Sequence, residues 1–222
     1  MNVFEKINNI LMNYEKPSLE IEKMFKCDDF NDSDFRIIKD LKSIKQNLKY
    51  HPEGNVWNHT KLVIDLAAKI RCYTDNEQLF MWSALFHDIG KLNTTKVIKG
   101  RYTSYNHDVE GARTTYKILN KYMDESLVNK ISEIVRFHMH HIYILKELPF
   151  SDIDGLLKSD VIEYIVLVFI CDKSGRGILT KDNISRNIEE VKEIVFFLEK
   201  NYNAKLNELI EKIDDVKNKL LK

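Results

Sequence analysis

The sequence predicts an all-α fold, and three observations carry that expectation. Apolar residues recur at three- and four-residue steps along most of the chain, the spacing of helices with one buried face. Glycine and proline number only 7 and 3 in 222 residues, which leaves little material for the turns of an all-β fold. Only residues 97–102 read as a short hairpin, with Gly100 at the turn.

The elements follow in chain order. Residues 1–46 read as a helical N-terminal extension packed on the main domain, since the chain length leaves little room for a second core. Pro52 and Gly54 break the helical pattern and mark a soft boundary. From Trp57 onward Leu62, Val63, Leu66, Ala67 and Ile70 form one apolar stripe. Residues 77–86 (EQLFMWSALF) are apolar on most sides, as befits a central helix, and Gly90 is placed to close it as a C-terminal glycine cap. Ala112, Tyr116 and Leu119 mark a helix over 109–122, and Ile131, Ile134 and Val135 mark another over 127–138. Ser151 and Asp152 are helix-start residues ahead of Leu156 and Leu157. Residues 160–172 are apolar nearly all round and predict a buried helix. Residues 183–221 read as one or two long helices, with the spacing slipping near Asn201 and Asn203. The division expected is 1–46 as extension, 47–180 as core, and 181–222 as a C-terminal helical segment.

Composition narrows the functional classes. Hydrophobic residues make up 44% of the chain, enough for a real core, and 34 basic residues balance 34 acidic ones. That balance creates no global field for nucleic acid or an anionic membrane. Cys27, Cys72 and Cys171 lie far apart without a CxxC pair, which argues against a disulfide framework and a thiolate zinc site. Free thiols fit a reducing compartment. The first residues lack the pattern of a signal peptide, and no run reaches the roughly 18 apolar residues of a membrane helix. The expectation is a cytoplasmic protein without a membrane partner.

The histidines and two aspartates carry the chemical signal. His59 falls on the first turns of a helix, His87 and Asp88 close the most central one, and Asp172 ends the most apolar run. A carboxylate in such a place is costly to bury without a cation or several donors, and a buried His–Asp doublet has the same need. One divalent metal ion satisfies all four. Each residue also has a plainer reading: a histidine satisfied in the core, Asp88 accepting backbone amides in a turn, Asp172 capping the turn that follows it.

Taken together, His59, HDIGK from His87 to Lys91, and Asp172 resemble the signature of the HD superfamily of metal-dependent phosphohydrolases. HPEGNVWNHT from His51 to Thr60 and CDKSGRG from Cys171 to Gly177 are similar to the HD domain of some bacterial CCA-adding tRNA nucleotidyltransferases. The resemblance spans residues 49–177. No nucleotidyltransferase head accompanies it, so CCA addition is not implied.

The resemblance implies a helical HD-domain bundle with His59, His87, Asp88 and Asp172 as ligands of a first metal. His107 and His138 match positions that some HD families use for a second metal, with His141 as the next candidate and Asp88 as a bridge. His140 points away from the face shared by His138 and His141, and a solvated helix end is the plainer reading of His140 and His141. The cofactor implied is one or two divalent ions among Mn, Fe, Ni, Co, Mg and Zn. Asp88 and Lys91 are the catalytic candidates. Lys91, Arg176 and Arg101 are the substrate-binding candidates, with Tyr102 and Tyr105 beside a base or ribose. Lys91 has the alternative of a favourable charge at a helix end. Glu53 either orients a ligand histidine or merely shapes a turn.

The function expected is hydrolysis of phosphomonoesters or phosphodiesters by metal-activated water. Nucleotides come first among the substrates, as 2′,3′-cyclic nucleotide phosphodiester, 2′-nucleotide or general phosphatase chemistry, and RNA ends are a further partner class. Two other readings stay open: a non-catalytic HD module that binds nucleotide or RNA in a regulatory role, and a helical interaction protein. Tight ligand binding without turnover distinguishes the first, and absence of stoichiometric metal the second.

Overall fold

The computed structural model describes residues 1–222 and is helical throughout, apart from one two-stranded hairpin. The N-terminal part holds α1 (Val3–Asn13), α2 (Pro17–Met24), α3 (Asp28–Asn31) and α4 (Arg36–Asp40). The centre is made by α5 (Val56–Ile70), α6 (Glu77–Phe86), α9 (Glu125–Phe137) and α12 (Ile162–Ser174), which pack on one another. Between them lie α7 (Lys91–Thr94), β1 (Lys96–Ile98), β2 (Arg101–Thr103), α8 (His107–Leu119), α10 (His140–Leu145) and α11 (Ile153–Lys158). Finally α13 (Lys181–Tyr202) lies on α12, and α14 (Asn207–Leu221) folds back against α13 and α5.

Burial explains this layout. In α6 every residue from Leu79 to Phe86 is buried, and in α12 every residue from Ile165 to Asp172. Neither helix has a solvent face of any length, so both must lie inside a shell of others. Burial of each large apolar side chain contributes about 1.5–3 kcal/mol, and that term holds the two helices in place. The N-terminal helices share this core, since Ile7, Leu11, Phe30 and Phe35 are fully buried in the same hydrophobic cluster as Trp57 and Trp82. The two indoles also find polar partners in that part of the chain. Trp57 Nε1 donates to Glu22 Oε1 at 3.2 Å and Trp82 Nε1 to Asn8 Oδ1 at 3.0 Å.

Caps set the ends. Asn55, Asn76, Asp124, Asp152 and Thr180 each accept a backbone amide of the helix they start. The C-terminal segment divides at Asn203, which adopts a left-handed conformation (φ 54°) where the apolar spacing slips. The hairpin turns at Lys99 and Gly100, both with positive φ, and pairs Val97 with Tyr102.

Gly90 differs from expectation. It is right-handed (φ −66°) and sits at the N-cap position of α7 rather than closing α6, whose C-cap is His87. A Cβ built on it comes within 2.1 Å of His107 O and 2.4 Å of Gly111 N. The glycine is there because α8 passes directly over the turn that follows α6, and this contact brings His107 to Asp88.

Candidate metal centre

The central helices aim their polar residues at one point. His59 sits on α5, one turn past its Asn55 cap; His87 and Asp88 follow the last turn of α6; His107 opens α8; His138 and His141 flank the junction of α9 and α10; Asp172 lies in the last turn of α12. All are buried, none more than 6% exposed. The structure thus gathers the four expected primary residues and both expected second-site histidines.

Asp88 lies at the middle of the group. Its Oδ2 is 3.4 Å from His87 Nε2 and 3.8 Å from His59 Nε2. Its Oδ1 is 3.3 Å from His107 Nε2 and 3.5 Å from His138 Nε2. Asp172 Oδ1 is 2.9 Å from His59 Nε2, and Oδ2 is 3.5 Å from His141 Nε2. Three sets of ligand atoms each fall within 4.8 Å of one another: His59, His87 and Asp172; Asp88, His107 and His138; and, at the rim, His51, Glu53 and His59. His141 therefore stands on the Asp172 side of the group.

The imidazoles share one orientation. Nδ1 of His87, His107, His138 and His141 lies 2.8, 2.7, 2.6 and 2.8 Å from the backbone oxygens of Ala84, Ser104, Val135 and His138. A carbonyl only accepts, so each Nδ1 carries a proton and each ring turns Nε2 inward, the atom that bears the lone pair in a neutral imidazole. Nε2 of His87 and His141 has no hydrogen-bond partner, though both are buried. Nε2 of His107 and His138 face each other at 3.2 Å, two lone pairs that repel unless a proton or a cation lies between them. A donor set of imidazoles and carboxylates oriented in this way fits a divalent cation.

Two basic side chains complete the charge. Lys91 Nζ donates to Asp88 Oδ2 at 2.7 Å, and Arg176 Nη2 donates to both oxygens of Asp172 at 2.8 Å. Burial opposes ionisation of Asp88, yet Lys91 and the surrounding imidazoles hold its carboxyl well below the usual range. Arg176 and His59 do the same for Asp172 against the same burial cost. Lys91 is buried at the start of α7, so a helix C-terminus is not what stabilises it. A cavity of about 540 Å³ opens above Asp88, Asp172, Lys91 and Arg176, with His107, Tyr102 and Tyr105 in its walls. Arg101 is exposed on β2 and does not line that cavity.

Glu53 orients His59. Its Oε1 lies 2.9 Å from His51 Nδ1 and 3.1 Å from His59 Nδ1, while Oε2 accepts from Gly177 N at 3.2 Å. Gly175 O, 3.2 Å from the same His59 Nδ1, accepts its proton; with Glu53 beside it, this points His59 Nε2 at the aspartates and ties the start of α5 to the turn after α12. Glu53→Gln is expected to weaken metal affinity by about 10–100-fold, measured by chelator competition, with little change in helical content.

His140 and His141 are fully buried, not a solvated helix end, because α10 packs back onto the core. His140 turns away from the cluster, and its Nε2 accepts from Asp152 N at 3.1 Å. Burial, with Arg136 nearby, pulls its pKa from 6.5 to about 4. The unfolded chain then binds a proton that the folded one excludes. Stability is lost as pH falls from 6.5 toward 4, by on the order of 3 kcal/mol from this residue. In chelated protein, His140→Gln keeps an acceptor for Asp152 N and should flatten the pH dependence of urea unfolding between pH 7 and 4.5.

Four of the residues here left little mark in the sequence. Gln46 and Tyr143 line the cavity from segments with no motif. The Arg136–Asp108 pair, at 2.6 Å, joins residues on different helices. Only the adjacency of Asp108 to His107 pointed to the area.

The chain is similar to known proteins over the region that carries this cluster. A family model described as "HD domain" matches residues 56–177, more than half of the chain. The chain is 30% identical over 150 residues to the "Multifunctional CCA protein" of Actinobacillus pleuropneumoniae serotype 5b (strain L20), which covers 64% of this chain and 36% of that protein. It is 27% identical over 144 residues to the protein of the same description from Pasteurella multocida (strain Pm70), covering 61% and 34%. The chain thus spans about a third of the length of the curated relatives it matches.

Proposed function

This chain belongs to the HD-domain family, a superfamily of metal-dependent phosphohydrolases, and on that premise we propose that it hydrolyses phosphoesters of nucleotides with two divalent cations. His59, His87, Asp88 and Asp172 would hold one, with His141 beside them. Asp88, His107 and His138 would hold the other. The observation that carries the reading is the common orientation of the imidazoles, each anchored through Nδ1 with Nε2 turned toward the two carboxylates.

Divalent ions held there supply Lewis acidity toward phosphoryl oxygens and lower the pKa of a bound water. The protein's own part is electrostatic. Lys91 and Arg176 stand at the cavity floor beside Asp88 and Asp172, where they balance charge on the equatorial oxygens of a reacting phosphoryl group. Burial of the whole cluster strengthens these interactions relative to water. The cavity accommodates a nucleoside, and Tyr102 and Tyr105 offer faces on which a base can stack. The likeness to CCA proteins points to 2′,3′-cyclic nucleotides and 2′-nucleotides first, and to RNA ends next. No helix is long and apolar enough to cross a membrane, and the three free cysteines support a cytoplasmic location.

A substrate panel tests the reading. Chelated protein is reloaded with Mn, Mg, Ni or Co and assayed on 2′,3′-cyclic AMP, 2′-AMP, 3′-AMP and bis-p-nitrophenyl phosphate. Metal-dependent release of nucleotide or phosphate is expected, stopped by chelation and restored by the ion. Failure to cleave any phosphoester with any metal contradicts it.

A further inference from the structure

Gln46 lies ten residues before the family match begins, in a segment that no motif singles out. It is 7% exposed and lines the cavity. Its Oε1 accepts from Lys91 Nζ at 2.8 Å, and the same Nζ donates to Asp88 Oδ2 at 2.7 Å. An ammonium group can only donate, so the amide is oriented: the oxygen meets Lys91 and the NH2 group points elsewhere. That Nε2 is buried and has no hydrogen-bond partner. The backbone holds it there. Gln46 N donates to Gly54 O at 2.9 Å, Val56 N donates to Ile44 O at 3.0 Å, and Lys45 pairs with Asn55 as an antiparallel bridge. Residue 46 is thus fixed to the base of α5, the helix that carries His59.

An unpaired amide donor kept out of water carries a desolvation cost, and a rigid backbone gives it no way to turn outward. Gln46 and Lys91 both line the cavity, so an acceptor that enters it beside Lys91 is within reach of this amide. An anion drawn to that ammonium is such an acceptor. We propose that Gln46 binds substrate, its Nε2 donating to a phosphoryl oxygen that Lys91 also contacts. The inference rests on the phosphohydrolase reading for the identity of the ligand. It adds a neutral donor, supplied from outside the matched region, to the charged groups at the cavity floor.

The test uses the full chain loaded with manganese and inorganic phosphate as the probe, with affinity read by calorimetry. Q46M removes both polar groups at similar size, while Q46E keeps an oxygen for Lys91 and removes the donor. Phosphate affinity is expected to fall about tenfold in Q46M and at least as far in Q46E, with bound manganese and Tm unchanged. In a K91M background, Q46M should cost about the same factor again. Wild-type affinity in Q46E, or disappearance of the Q46M effect once Lys91 is gone, shows that Gln46 only supports Lys91 and overturns the proposal. Absence of phosphate binding by the wild-type metal-loaded protein overturns it too. Phosphate binding without cleavage of any phosphoester removes the hydrolase reading and leaves Gln46 as an anion-binding residue.

Discussion

Asp88→Asn is expected to abolish turnover, lowering kcat/KM by about a thousandfold or more, because one substitution weakens both cation positions. The two oxygens of Asp88 face different histidine pairs, His59 and His87 on one side and His107 and His138 on the other. An amide keeps the shape but has half the acceptor capacity and no charge. Its NH2 group must also face lone pairs on one side or the other. The substitution should show in binding as well as in rate. Ions at about a thousand times their Kd add about 4 kcal/mol to the wild-type protein, so chelation should lower its Tm by several degrees. In Asp88→Asn the Tm should no longer respond to metal. His138→Ala removes a ligand from one side only, so it should keep one ion and part of the metal-dependent stabilisation. Equal metal content in Asp88→Asn and the wild type would rule out the bridging role.

Gly90→Ala should be among the most damaging changes of a single atom in the chain. The added Cβ meets backbone atoms, His107 O at 2.1 Å and Gly111 N at 2.4 Å, and neither can rotate away. The turn after α6 and the start of α8 must separate by roughly an ångström, which places the cost at about 3 kcal/mol or more. The same displacement draws His107 away from Asp88, so metal affinity should fall along with stability. Gly100→Ala is the internal control. Gly100, unlike Gly90, has positive φ, at 73°, and no atom lies within 4 Å of its built Cβ, so only backbone strain of about 1–2 kcal/mol is expected. Urea unfolding of the two variants should separate them clearly, with metal content reduced only in Gly90→Ala.

The two glycines also mark how far the sequence could be read. Helices over 57–70 and 77–86 announce themselves through periodicity and composition, and they end where the apolar pattern ends. The break at Asn203 was legible for the same reason. Gly90 was not: its position after a helix suggests a cap, and only the path of α8 shows that close approach is what demands it. The primary His and Asp residues stood out because buried charge at the end of an apolar helix is unusual. His140 and His141 looked like a polar helix end because the packing of α10 is a tertiary fact. Arg101 looked well placed by its spacing from His107, yet the hairpin turns it outward. Gln46 left no signal at all. Its role depends on a neighbour 45 residues away and on a hydrogen bond that leaves one amide group unspent.

Two cations held between these imidazoles and carboxylates would be counted directly by metal stoichiometry. The chelated chain is titrated with manganese, and bound metal is counted by mass spectrometry after gel filtration. Two ions per chain are expected, with one remaining in His138→Ala and none retained in Asp88→Asn. A wild-type chain that binds one ion or fewer at saturation contradicts this.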